Sequence, residues 1–186
     1  MQLLEQIQKY NPYNSQEEND KKILLQWLQS PYDIYTRDNE TAHLTVSAWV
    51  VSPDRQQVLM IYHNLYNSWA WMGGHVDGEK DLLKVARKEV EEESGIKNLV
   101  LLTPNIVSLE TLCVDGHEKK GKYVSSHLHL NVTYLFEANP NDPIRIKPDE
   151  NSAVGWIHVN DIATKCSEPW FVKRIYSKLI DKMKNY

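Results

Sequence analysis

Three carboxylates, Glu89, Glu92 and Glu93, stand at i, i+3 and i+4 within GGHVDGEKDLLKVARKEVEEESGI, residues 73–96. On a helix this spacing places all three on one face, where like charges repel. Glu91, Glu92 and Glu93 also fall in the last turn before Ser94-Gly95, where the helix dipole already gathers negative charge. Stability alone would favour lysine there, so the pattern predicts a bound cation. Clustered acids select hard cations, and Mg²⁺ is commonly shared between a few carboxylates, waters and substrate phosphates. The chemistry expected is therefore metal-assisted work on a phosphate. The helix is predicted by Asp81 as its cap, by the apolar stripe Leu82, Leu83, Val85, Ala86 and Val90, and by Gly95 as its stop. Glu89 and Glu93 continue the arc of Leu82 and Ala86, beside the buried stripe and not opposite it.

The segment resembles the Nudix box, the signature of the Nudix hydrolases. With the first glycine of that box at Gly74 and the last at Gly95, the full length fits without a gap, and Glu89, Val90, Glu92, Glu93, Gly95 and Ile96 match. Lys80 stands where a glutamate belongs and Lys88 where an arginine belongs. Glu79 is one residue early and is a substitute for the missing acid if the turn Asp77-Gly78-Glu79 shortens the loop. Lys88 keeps the charge but lacks the bidentate fork of arginine. Arg87 points about 100° away on the helix. The resemblance implies a mixed β-sheet between helices, an α+β fold with α/β/α layers. It also implies hydrolysis of a pyrophosphate bond in a nucleoside diphosphate linked to another group, with Mg²⁺ or Mn²⁺ on Glu89, Glu92, Glu93 and the Gly74 carbonyl. The loop from His75 to Glu79 would cover the phosphates, and Lys88 would support the catalytic glutamates. The general base is either Glu89 or an acid on a distant loop, for which Glu150 in Pro148-Asp149-Glu150-Asn151 is the candidate.

Around this centre, Trp69 and Trp71 offer rings that either stack a base or pack in the core. In HLHLNV, strand alternation turns His127, His129 and Asn131 to one face and Leu128 and Leu130 to the other. That polar face either lines the substrate cleft or meets solvent. The run Thr41-Ala42-His43-Leu44-Thr45-Val46-Ser47-Ala48-Trp49, followed by Gly74-His75, also resembles isopentenyl-diphosphate isomerase, a Nudix-fold enzyme that uses histidines as metal ligands at comparable places. Its catalytic cysteine would fall at Gly73, where there is no thiol, so isomerisation is not expected. His43 and His75 are read as hydrogen-bonding residues of strand and loop. A further alternative, motivated by Lys80 and Lys88, is a nucleotide-binding or regulatory module with little turnover.

The elements needed to position these groups are legible. Residues 1–40 read as a separate helical extension, with Ser15 and Glu18 as a capping box, a stripe of Ile23, Leu24, Trp27 and Leu28, and Pro31 as its end. The main domain, residues 41–186, begins with a strand pair, Ala42–Val51 and Gln57–Tyr62, around Ser52-Pro53-Asp54. Further strands are predicted at Leu99–Leu102, Val107–Val114, Ser125–Glu137 and Ala153–Val159, and an amphipathic helix runs from Ser167 with Phe171, Ile175, Leu179 and Met183 on one face. With 186 residues, 41% of them hydrophobic, the chain can bury one sizeable core. A net charge of -4 gives no electrostatic footprint for nucleic acid. Cys113 and Cys166 have no zinc-like spacing and read as buried thiols. No segment resembles a leader or a membrane span, so a cytoplasmic protein, a small diphosphate partner and a possible homodimer through the segment around Trp27 are expected.

Overall fold

The computed structural model describes residues 2–119 and 121–186. Two helices, α1 (Leu3–Lys9) and α2 (Ser15–Leu28), precede β1 (Ala42–Val51), β2 (Gln57–His63), β3 (Ser68–Ala70) and β4 (Met72–His75). After α3 (Leu82–Ser94) come β5 (Val100–Leu101), β6 (Ser108–Val114), β7 (His117–Lys119), β8 (Lys122–Val124), β9 (His127–Glu137) and β10 (Asn151–His158). The chain closes with α4 (Ile162–Lys165), α5 (Pro169–Phe171), a π-helical turn at Val172–Tyr176, and α6 (Ser177–Met183).

The centre of the sheet is a parallel pair. β1 and β9 run together over ten residues, from Ala42 opposite Leu128 to Val51 opposite Glu137. The other edge of β1 is shared: β4 covers Thr45 to Ala48, and β2 begins at Val51 opposite Val58. β10 flanks β2, while β5 and β6 share the outer edge of β9. All ten residues of β1 are buried because helices cover both faces of the sheet. On one face Val46, Ala48 and Val50 pack with Val85, Ala86 and Val90 of α3. On the other, Trp49 and Val51 pack with Ile175, Tyr176, Leu179 and Met183 from the C-terminal helical segment. These are the expected layers.

Several details differ from the sequence reading. The cap of α2 is Asn14, whose side chain accepts from the Glu17 N–H at 3.1 Å, so Ser15 is the first helical residue. Glu17 is drawn away from the helix surface into the core. The turn-rich stretch after β6 contains a short hairpin, β7 with β8, that propensity alone does not reveal. Cys113, near the end of β6, is exposed, whereas Cys166 is buried. The C-terminal helix carries the π turn, with Ser177 Oγ donating to the Val172 carbonyl at 2.7 Å. Among the described residues no helix is long and apolar enough to cross a membrane.

The N-terminal helices share the core with the sheet: Leu3, Ile7 and Leu24 are buried in the cluster that holds Leu44 and Leu109. A buried charge network fastens them further. Lys178 Nζ lies 3.0 Å from Glu17 and 2.9 Å from Glu110, and Lys182 Nζ lies 2.6 Å from Glu17. Tyr10 Oη and the Tyr13 N–H each donate to Glu17 Oε2 at 2.8 Å. Burial pushes the Glu17 carboxyl up, but Lys178 and Lys182 outweigh it and bring it below the ordinary carboxylate value. Such a group stabilises the fold fully above its unfolded pKa of about 4.3, and that stability is lost as pH falls through the lower folded value. Glu17→Gln is expected to cost about 3–5 kcal/mol at neutral pH by leaving two lysines short of a partner. Urea midpoints from neutral to acidic pH should show the gap between parent and variant closing in acid; parallel profiles would refute this role.

Candidate active site

α3 forms where predicted. Asp81 Oδ1 accepts from the Lys84 N–H at 3.1 Å, and Gly95 ends the helix at φ 82°, a left-handed conformation that glycine adopts without strain. The helix lies against β4, and two glycines set how closely. Gly74 pairs with Val46, so it shares the α3 face of the sheet. A Cβ at Gly74 would come within 2.6 Å of the Glu89 carboxyl carbon, so the carboxylate occupies space that any side chain would fill. One residue earlier, the Gly73 N–H donates to Glu93 Oε2 at 3.0 Å. Glu93 is only 3% exposed.

These positions are electrostatically costly without a cation. Burial raises the Glu93 carboxyl well above the ordinary carboxylate value; the Gly73 N–H offsets part of this, while the charges of Glu89 and Glu150 add to it. Burial also raises Glu89, with Lys88 opposing it and Glu92 adding to it. Glu92 is half-exposed at the rim, between Lys88 Nζ at 3.3 Å and Lys147 Nζ at 3.6 Å. Lys147 also pairs with Glu150 at 2.9 Å. The structure thus brings Gly74, Lys88, Glu89, Glu92, Glu93 and Glu150 into one neighbourhood. Carboxylates of raised pKa, one buried and one half-buried, set against a glycine-sized gap are a donor set that suits a hard divalent ion.

The loop before β10 is tied to α3 by its backbone. Asn151 Nδ2 donates to the Glu93 carbonyl at 3.0 Å, Asn151 Oδ1 accepts from the Lys147 N–H at 3.1 Å, and the Arg145 N–H donates to the Ser94 carbonyl at 2.8 Å. Sequence reasoning found Glu150 here but missed Lys147 and Asn151, although the i, i+3 spacing of Lys147 and Glu150 was a visible signal. It also missed Tyr66, which stacks on His63 with centroids 4.1 Å apart. Burial raises the Tyr66 hydroxyl, and the charges of Glu168 and Glu93 raise it further, so this ring stands near the acids.

Other sequence candidates occupy different surroundings. Glu79 does not turn toward the acids: its Oε1 accepts from the Lys80 and Asp81 N–H groups at 2.9 and 3.1 Å, and its Oε2 binds Lys84 Nζ at 2.6 Å. The Lys84 hydrogen bond leads in holding this carboxyl down, to about 2. Arg87 lies over the Phe136 ring and donates to the Leu99 carbonyl, on the core side of α3. Trp71 packs edge-on against Phe171 and Tyr176 in the second apolar cluster. The turn after β4 has Asp77 and Gly78 at positive φ, and Arg37 binds Asp77 at 2.8 Å. His75 and His129 lie with His43 and His127 on the sheet face turned away from Gly74. Burial, then repulsion from the other histidines, lowers His129 to about 2.

The NUDIX domain model matches residues 41–179. A NUDIX-family hydrolase from Clostridium perfringens superposes with a TM-score of 0.57 at 18% identity, over 76% of this chain and 97% of that one. A C. elegans Ap4A hydrolase in a binary complex gives 0.55 at 19% identity, over 77% and 98%. The E. coli dihydroneopterin triphosphate pyrophosphohydrolase gives 0.56 at 15% identity, over 74% and 94%. No curated protein matches the chain. The fold is similar to that of these structures, and the family match spans the central sheet and the acidic helix. The chain belongs to the Nudix family.

Proposed function

We propose that this chain hydrolyses the pyrophosphate bond of a nucleoside diphosphate linked to another moiety, with Mg²⁺ or Mn²⁺ held by Glu89, Glu92, Glu93 and the Gly74 carbonyl. The observation that carries this reading is the pair of carboxylates set against the glycines of β4, Glu89 half-buried and Glu93 buried, where burial raises both carboxyls and a bound cation would offset its cost. The named substrates of the solved relatives, Ap4A and dihydroneopterin triphosphate, are both phosphoanhydrides, which supports the bond type without choosing the group attached. A divalent ion bound here would neutralise the diphosphate and acidify a bound water.

The chain's own groups supply the rest. Lys88 and Lys147 flank Glu92, so an incoming phosphate meets two ammonium groups at the rim. Lys147 also fixes Glu150 in the same place, and Glu150 is the acid we assign to take a proton from the attacking water, with Glu89 left to the metal. Tyr66, half-exposed on the loop whose Asn64 N–H binds the Glu150 carbonyl, is the ring we assign to meet the organic part of the substrate.

Two outcomes test this. Glu93→Gln should abolish metal-dependent hydrolysis of diphosphate substrates, read as phosphate after a coupled phosphatase acts on the two monophosphate products, yet raise the melting temperature of the metal-free protein, because a neutral amide keeps the Gly73 hydrogen bond without the buried charge. A variant as active as its parent would place the site elsewhere. Lys147→Ala removes charge-assisted contacts worth about 1.5–3 kcal/mol and should weaken kcat/KM roughly tenfold to a hundredfold. Steady-state kinetics showing no change would remove Lys147, and its hold on Glu150, from the mechanism.

A further inference from the structure

On the opposite face of β4 the chain gathers imidazoles. β1 and β9 run parallel with His43 opposite His129, and β1 pairs β4 with Thr45 opposite His75. Alternation therefore sets His43, His75, His127 and His129 on one face. The centroid of the His43 ring lies 5.1 Å from those of His75 and His129 and 4.8 Å from that of His127. His43, His75 and His129 each present a ring nitrogen, all within 4.8 Å of one another.

Backbone carbonyls set two of the tautomers. A carbonyl only accepts, so His43 Nδ1, 3.0 Å from the Asn39 oxygen, and His127 Nδ1, 2.8 Å from the Ser125 oxygen, both carry protons. In the neutral rings the Nε2 atoms are then lone pairs. His43 is 4% exposed, and its Nε2 has no hydrogen-bond partner among the described residues. A buried acceptor without a partner calls for an explanation. His127 Nε2 lies 3.2 Å from His129 Nε2, close to the edge of about 3.4 Å between imidazole nitrogens in a tetrahedral site with bonds of about 2.1 Å. A carbonyl on Nδ1 is also the usual way in which a ligating histidine is oriented.

We infer that His43, His75 and His129, with His127 as a fourth donor, form a transition-metal site separate from the carboxylates. An all-imidazole set selects Zn²⁺, Co²⁺ or Ni²⁺ over Mg²⁺. The 4.8 Å spread is wider than a tetrahedral edge, so the rings draw in on binding. β4 then serves two sites of opposite character: Gly74 faces the hard-cation site, and His75, the next residue, faces the imidazole site.

The test is a Co²⁺ titration of tag-free protein followed by visible absorption, with excess Mg²⁺ present to fill the carboxylate site. Strong bands of four-coordinate Co²⁺ are expected in the parent and in Glu93→Gln, and their loss in His129→Gln and His75→Gln. Circular dichroism checks folding, and His75, half-buried at the end of a strand, decides if the His129 variant does not fold. Only weak six-coordinate bands, or strong bands that survive both histidine changes or are lost in Glu93→Gln, would overturn the site. Turnover with Mg²⁺ is read separately, so failure here leaves the hydrolase reading to its own test.

Discussion

The approach of α3 to β4 is the constraint on which the rest depends. An apolar stripe drives the helix onto the sheet, yet the last turns of that stripe are Glu89 and Glu93, which must be accommodated at the buried interface. Gly73 and Gly74 resolve this conflict: one supplies an N–H for Glu93, and the other leaves a space where Glu89 can lie. Hydrophobic packing thus forces carboxylates into a site where water cannot fully solvate them. Burial raises both carboxyls, the electrostatic trace of that packing, and a bound cation would offset that cost.

A second buried polar system holds the layers around this interface. Asn131 on β9 accepts from Thr45 at 3.1 Å and from Ser47 at 3.0 Å and donates to Glu110 at 2.9 Å; Glu110 meets Lys178, and Lys178 meets Glu17. The chain of contacts crosses from the parallel centre of the sheet to both terminal helices. Every member is satisfied by a charged or hydrogen-bonding neighbour, the condition under which a buried network specifies one packing. The N-terminal helices are therefore built into the same electrostatic structure as the sheet on which the candidate site rests.

How much of this the sequence displayed depends on the range of the interaction. α3, its Asp81 cap and Gly95 stop, the strand at Ala42–Val51 and the alternation in HLHLNV follow from local spacing, so they were legible. The three clustered glutamates were legible for the same reason. What was hidden required distant partners. Glu17 carries no local mark of its role, since its partners Lys178 and Lys182 lie some 160 residues on. Ser15 seemed the better cap until Asn14 took that role. His43 and His75 read separately as hydrogen-bonding residues; the parallel register of β1 with β9 is what sets them beside His129, and no local pattern encodes that register.

The departures from the Nudix box also follow from geometry. Glu79 is committed to the start of α3, accepting two N–H groups and Lys84, so a carboxylate one position early stabilises the helix instead of joining the acids. Arg87 is committed to Phe136 and the Leu99 carbonyl and cannot turn toward the site. Lys88 alone is a point charge without the reach of a bidentate fork. Lys147 arrives from the loop before β10 and meets Glu92 from its other side, and Asn151 clamps that loop to the end of α3. Positive charge opposite the acids is therefore supplied by tertiary structure where the helix lacks its arginine, so the balance of charge that the box ordinarily carries within one segment is here divided between α3 and a loop more than fifty residues away.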